Sequence, residues 1–266
     1  MSYVGRLKTN ARTARMLLQN DVRLGSALFY PLRRQLHLDN QLILRGGIKI
    51  SAPSSEPLLH LFKEIWVEGQ YRIPGFSIGD GKVIVDVGSH VGMFTMWAAV
   101  PHPGARVIAV EPFSESLAYL RRNVSSNHLS NVQVIEAACG ASDCMVDLLA
   151  RGPAACNTIY STDRYGNSFR TTQQVKMITL STLFSDCAIE HCDMLKLDCE
   201  GAEYDILYSA GRRTLDRVEN IAMEYHLGLN QHEPRHLAGF LQEEGFRVDL
   251  KPPLDQEGGY LIATRS

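Results

Sequence analysis

Val83-Ile84-Val85-Asp86-Val87-Gly88-Ser89-His90-Val91-Gly92 is the stretch that decides the fold. A continuous aliphatic run reads as a buried strand; it carries an acid near its end, turns on glycine and opens a helix. Gly88 has no Cβ, so the backbone there can turn tightly and lie close to a ligand. Gly92 lets the new helix pack closely on the strand. In open sheets of this kind ligands bind outside the carboxyl ends of the strands.

Working outward, strand-like and helix-like runs alternate. The strands fall at 83–87, 106–110, 132–137, 194–198 and 220–225, and the helices at 91–100, 114–127, 203–208 and 234–244. This alternation predicts a mostly parallel sheet covered on both faces. Residues 246–250 and 259–263 are two strand-like runs with no helix between them, which predicts an antiparallel hairpin at a sheet edge. The expected fold is therefore α/β, a Rossmann-like, mostly parallel sheet with an antiparallel C-terminal hairpin strand and a helical N-terminal extension. Pro74 and the Gly75–Gly81 loop set the expected boundary: residues 1–79 as extension and cover, 80–266 as core. Within the extension, 3–36 reads as two helical segments, 41–50 as a hairpin around Gly46-Gly47, and Leu58 to Trp66 as a helix with an apolar face. The stretch 151–172 reads as a long irregular loop, either a lid over the substrate or a surface insertion.

Composition narrows the class. The chain has 266 residues, 45% of them hydrophobic and 21% charged, with a formal net charge of −2. These values suit a globular domain and exclude a disordered or fibrous chain. Near-neutral charge does not point to nucleic acid. Residues 1–36 nevertheless hold seven basic side chains against Asp21, about +6 locally, which reads mainly as a solvated helix face. Six cysteines include no CxxC pair and no zinc spacing, so reduced thiols in a cytoplasmic protein are expected. No membrane span and no secretory leader are expected. Apolar positions within 10–36 leave homo-oligomer contacts open.

The ligand can be read from the turn. A dinucleotide fingerprint is GxGxxG; here the spacing is Asp-x-Gly-x-x-x-Gly, with an acid ahead of the first glycine. A carboxylate there opposes a pyrophosphate and suits a cation, such as the sulfonium and ammonium of S-adenosylmethionine. Asp86 is expected to act through the ligand's amino group or an ordered water. Glu111, 25 residues on at the end of the second strand and followed by Pro112, is placed to accept hydrogen bonds from both ribose hydroxyls. The turn after the third strand, at Ala138, is placed at the adenine edge. Asp198 leaves the fourth strand, with Lys196, Glu200 and Glu203 close by. Glu224 and His226 share one side of the fifth strand, beside Asp198. These three are the catalytic candidates: His226 or Asp198 as general base, Glu224 as the group that orients the imidazole. The same three, Asp198, Glu224 and His226, could also hold a divalent metal, although the spacing lacks a strict ligand signature.

Together DVGSHVG, Glu111-Pro112, LKLDCEGAEYDIL and MEYH resemble the FkbM family of methyltransferases, over roughly residues 64–250. The lead-in from Glu64 to Tyr71 is similar to the family's segment before its first core strand. The resemblance implies a class I methyltransferase sheet, S-adenosylmethionine as donor and a hydroxyl of a small molecule or glycan as acceptor, in natural-product or sugar chemistry. Carried over, it marks Asp86, Gly88, Gly92 and Glu111 as donor positions, beside which Ser89, His90, Pro112, Ala138, Asp198, Glu68 and Tyr71 are assigned to the cofactor. It marks Asp198, Glu200, Gly201 and Glu203 as the acidic motif, and Glu224 and His226 as the late motif. Ser89-His90 stands where the family commonly has Ala-Asn, so His90 is expected to change how the donor's carboxylate end is held. The rival readings are a nucleic-acid or protein methyltransferase, a nicotinamide-dependent oxidoreductase on the same sheet, and a non-catalytic binding protein. The absence of GxGxxG and of Asp/Asn-Pro-Pro-aromatic after strand four weighs against the oxidoreductase and against methylation of base amino groups.

Overall fold

A computed structural model describes residues 33, 36–44, 46–150, 157–159, 171–253 and 258–265. The two helical segments expected within 3–36 and most of the 151–172 loop lie outside these residues.

Seven strands form the central sheet. In chain order they are β3 (Val83–Val87), β4 (Arg106–Val110), β5 (Val132–Ile135), β10 (Met194–Leu197), β11 (Asn220–His226), β12 (Arg247–Leu250) and β13 (Gly258–Thr264). Their spatial order is β12-β13-β11-β10-β3-β4-β5. The β10–β11, β10–β3, β3–β4 and β4–β5 pairs are parallel, and β13 runs antiparallel between β11 and β12. This is the class I methyltransferase arrangement, with the expected C-terminal hairpin. The order reverses direction at β3 and β10. The connections that leave their carboxyl ends therefore run in opposite directions and open a crevice, and the Gly88 turn and Asp198 both sit there. All four residues of β10 are buried, including Lys196.

Helices cover both faces. They are α1 (Leu58–Phe62), α2 (Met93–Ala99), α3 (Ser114–Ser126), α4 (Leu180–Asp186), α5 (Glu203–Ser209), α6 (Arg212–Leu215) and α7 (Pro234–Glu243). The core between sheet and helices includes Phe184, Tyr204 and Tyr225, each almost fully buried.

The N-terminal hairpin β1 (Asn40–Ile43) and β2 (Lys49–Ala52) forms where the sequence predicts it. It docks on the core through asparagines of α3. Asn123 accepts from Ser51 N at 2.8 Å and donates to Ser51 O at 2.9 Å, while Asn127 does the same with Lys49 at 2.8 and 2.7 Å. The two side-chain amides satisfy the backbone groups of β2 as a neighbouring strand would.

Two elements differ from expectation. The helix from Leu58 widens after Phe62 into a π-turn, Lys63–Glu68, closed by Gly69 in the left-handed region at φ 67°. Such turns re-aim side chains and recur at functional sites. The segment after β5 also holds a second sheet, of order β6-β9-β7-β8: β6 (Ala138–Cys139), β7 (Cys144–Ala150), β8 (Asn157–Thr158) and β9 (Thr171–Ile178). Thr171 and Thr172 thus belong to a strand, not to the loop. Among the described residues no helix is long and apolar enough to cross a membrane.

Candidate active site

The cavity at the crevice is built first from the turn after β3. Gly88 has φ +74°, and a Cβ there would lie 1.8 Å from the carbonyl oxygen of Asp198. Only glycine allows the β3 and β10 turns to touch. Gly88 and Ser89 N–H groups both donate to Val110 O at 3.0 Å, which pins the turn to the end of β4. Glu111 reaches back across it. Its Oε2 accepts from His90 N at 2.8 Å and its Oε1 from Phe113 N at 2.9 Å. Burial raises the Glu111 pKa, opposed by His90 and these two backbone N–H groups.

Asp86 lies beneath the turn and does not line the cavity. It is fully buried, accepts from Thr95 Oγ1 at 2.6 Å and pairs with Lys196 Nζ at 3.1 Å. The structure thus sets Asp86 against Thr95 and Lys196 and brings it to no part of the cavity lining. Lys196 also donates to Gly88 O at 2.8 Å and stands 3.6 Å from Asp198 Oδ2. One buried cation therefore ties β3, the glycine turn and the reaction edge together. Burial would lower its pKa, but Asp86 and Asp198 hold it above the usual lysine value.

The reaction edge is a turn of carboxylates around one imidazole. Glu203, fully buried at the start of α5, accepts from Cys199 N at 2.6 Å and from Gly201 N at 3.0 Å. Its Oε1 is also 3.0 Å from His226 Nδ1. His226 Nε2 faces Glu200 Oε2 at 3.7 Å. Glu200 holds φ 52°, a conformation rare for a side chain of this size, and its carbonyl accepts from Thr158 Oγ1 at 2.8 Å. Burial would lower the His226 pKa. The hydrogen bond and charge of Glu203, with Glu200 and Asp198, push it well above the usual histidine value instead.

Asp198 accepts from Tyr71 OH at 3.0 Å. Burial would raise its pKa, but Lys196, His226 and the Tyr71 hydrogen bond hold it below the ordinary carboxylate value. Glu224 is the opposite case. Burial, then the Asp198 charge, raise it to about 8. Its Oε2 is within 3.3–3.4 Å of Gln70 Nε2, Tyr71 OH and Tyr260 OH.

The methyltransferase FkbM domain family matches residues 86–248, more than half the chain. The chain belongs to this family. Methyltransferase 1 of Beauveria bassiana is 25% identical over 209 residues, spanning 73% of this chain and 82% of that one. The 31-O-demethyl-FK506 methyltransferase FkbM of Streptomyces tacrolimicus is 34% identical over 82 residues, 31% of this chain and 32% of that one. The crystal structure of methyltransferase FkbM from Methylobacillus flagellatus KT has a TM-score of 0.51 at 16% identity, covering 97% of this chain and 60% of that chain. At that identity the likeness speaks for the fold.

In this FkbM-family methyltransferase the cavity gathers Gly88, Ser89, His90, Glu111, Pro112, Ala138, Tyr71, Asp198, Glu224 and His226 from the sequence-predicted set. It leaves out Asp86 and Gly92, which support the turn from below, and Glu68. Glu68 instead pairs at the surface with Lys63 at 2.6 Å, because the π-turn rotates Glu64 and not Glu68 toward the cavity. Glu224 does not orient the imidazole; Glu203 does, since α5 starts directly beneath the β11 edge. Among the described residues the trio whose atoms could ligate a metal, within 4.8 Å of one another, is accordingly Asp198, Glu203 and His226, with Glu203 in the place expected for Glu224. Glu64, Gln70, Leu148 and Ile159 also line the cavity. Sequence reasoning gave them no site role, although Glu64 and Gln70 lie in the quoted lead-in.

Gly88→Ala is expected to block ligand binding. The backbone conformation alone costs roughly 1–3 kcal/mol, and the added methyl must also displace the Asp198 carbonyl. Thermal melting and adenosyl-ligand titration of the variant check this: a wild-type affinity would mean that the two turns can separate freely.

Proposed function

We propose that this protein transfers a methyl group from S-adenosylmethionine to a hydroxyl of a small molecule or glycan. The observation that carries the reading is the imidazole of His226, held at Nδ1 by buried Glu203 and lining the cavity whose far wall is the Gly88 turn and Glu111.

The donor fits this cavity by its chemistry. Glu111 presents a carboxylate, fixed by two backbone N–H groups, for the ribose hydroxyls. Glycine admits the ligand at the turn, and the carboxylates suit a cation. When bound, the donor supplies an electrophilic methyl group on a sulfonium. The chain's own residues then have three tasks. Walls from α2, the π-turn and the second sheet keep water from the reacting groups. The side chains hold the acceptor oxygen in line, which carries much of the acceleration. His226 takes the acceptor's proton. Asp198 is the weaker base, since its lowered pKa keeps it ionised but poorly basic. Residues 1–79 are read as a cover for substrate and cofactor, and the protein as one that works without a membrane span, in the cytoplasm. The FK506 relative supports an oxygen acceptor, since its name places its chemistry at a 31-O position.

Calorimetric titration with S-adenosylmethionine, S-adenosylhomocysteine and NADH tests the donor. Binding of the adenosyl ligands alone is expected, weakened about tenfold or more in Glu111→Ala, the loss of two charge-assisted hydrogen bonds. Binding of NADH instead would overturn the reading. Hydroxyl acceptors are then screened with EDTA and with magnesium, which separates histidine base catalysis from a divalent ion at Asp198, Glu203 and His226.

A further inference from the structure

An adenosylmethionine donor carries one anion, its α-carboxylate, and must place it in a cavity lined by Glu64, Glu111, Asp198, Glu200 and Glu224. The basic side chains lining that cavity are His90, Lys196 and His226. Lys196 is committed to Asp86, Gly88 O and Asp198, and His226 lies between Glu203 and Glu200. His90 differs. Its Nε2 meets Glu56 Oε2 at 3.3 Å, while Nδ1 has no hydrogen-bond partner among the described residues. Glu56 comes from outside the family match, in the turn that follows β2, and is fully buried. That turn is aimed inward by buried Asn40, whose Nδ2 donates to Pro53 O and Ser54 O at 3.2 Å and to Glu56 O at 2.7 Å.

Resting on the adenosyl-donor reading, we propose that His90 binds the donor's α-carboxylate through Nδ1 and that Glu56, from the N-terminal hairpin, is the positioning residue that holds the ring at Nε2. A protonated ring is required, because only the imidazolium donates from both nitrogens. The groups that face it are Glu56 from the turn after β2, Glu111 at the end of β4 and Asp198 at the end of β10. Burial lowers the His90 pKa, and these three outweigh it and raise it above the usual value. The hairpin therefore completes the donor site.

The test compares wild type with Glu56→Gln by calorimetric titration of S-adenosylmethionine and its decarboxylated form, from about pH 6 to about pH 8. Comparing two proteins with one ligand cancels the ligand's own ionisation. For S-adenosylmethionine the variant is expected to bind about tenfold more weakly at the upper pH, with the gap narrowing toward the lower pH as more of the variant's His90 takes up a proton. The decarboxylated ligand should bind both proteins alike, and Glu56→Asp should recover part of the loss. His90→Asn, with the same two ligands, carries the test if Glu56→Gln does not fold: it should weaken S-adenosylmethionine alone, and by less as pH rises and the wild-type ring loses its proton. Equal weakening of both ligands would reduce the pair to a packing role and overturn the proposal, as would no weakening of either. If no adenosyl ligand binds wild type, the donor reading itself fails and takes this proposal with it.

Discussion

His226→Ala is expected to slow methyl transfer by about 10²–10⁴-fold, the range for removing a positioned general base, while adenosyl-ligand affinity stays near the wild-type value. The pH dependence identifies the base more sharply. His226 must be neutral to accept a proton, and its surroundings raise its pKa well above the ordinary value. Activity, as kcat/KM, should therefore climb with pH through a point above the usual histidine range. Glu203→Gln removes a charge that favours the imidazolium, so the rise should move to lower pH. The plateau should also fall, because the ring loses the bond at Nδ1 that selects its tautomer. If Asp198 were the base, its lowered pKa would leave the rate nearly flat over neutral pH, and His226→Ala would retain turnover. Steady-state rates on an acceptor from the hydroxyl screen decide between the two.

The reasons for these roles were only partly legible in the sequence. The strand-turn-helix at 83–92 and the regular alternation after it specify the sheet, because buried parallel strands need continuous aliphatic runs and their turns need glycine. Period two placed Glu224 and His226 on one side of β11, and both line the cavity. The choice of Glu203 over Glu224 as the partner of His226 was not readable. It depends on how far α5 starts below the strand edge, which no local pattern encodes. Glu203 was visible only as one acid among several. The second sheet was hidden for another reason. Thr171–Ile178 is short of aliphatic residues and rich in glutamine and threonine, so it shows no strand pattern of its own; cross-strand pairing with Cys144–Ala150 makes it a strand. Asp86 reads as a ligand contact because it is an acid at a strand end, while its pairing beneath the turn has no local signature. Its actual partner, Lys196, sits directly across the β3–β10 pair, where Lys196 and Asp86 are in register.

That register makes Lys196→Met the substitution with the largest expected effect on stability. The apolar side chain fills similar space, so the loss is electrostatic. Among the described residues Asp86 then keeps the Thr95 hydroxyl as its one side-chain donor, stays fully buried and has lost the cation that offset its charge. Breaking a buried pair from one side typically costs about 3–5 kcal/mol. For a domain of this size that lowers the melting temperature by on the order of 10 °C. Removing both charges, with Asp86→Asn and Lys196→Met together, should recover much of it, since the orphaned charge is then gone. Recovery of stability should not bring recovery of ligand binding. In the double variant the hydrogen bond from Lys196 to Gly88 O and the charge it sets beside Asp198 are both gone, so the turn and the reaction edge lose their common tether. Melting and calorimetric titration of the two single variants and the double variant separate these effects. If the double variant melted no higher than Lys196→Met, the lysine would matter through packing and the Gly88 hydrogen bond, not through the charge of Asp86.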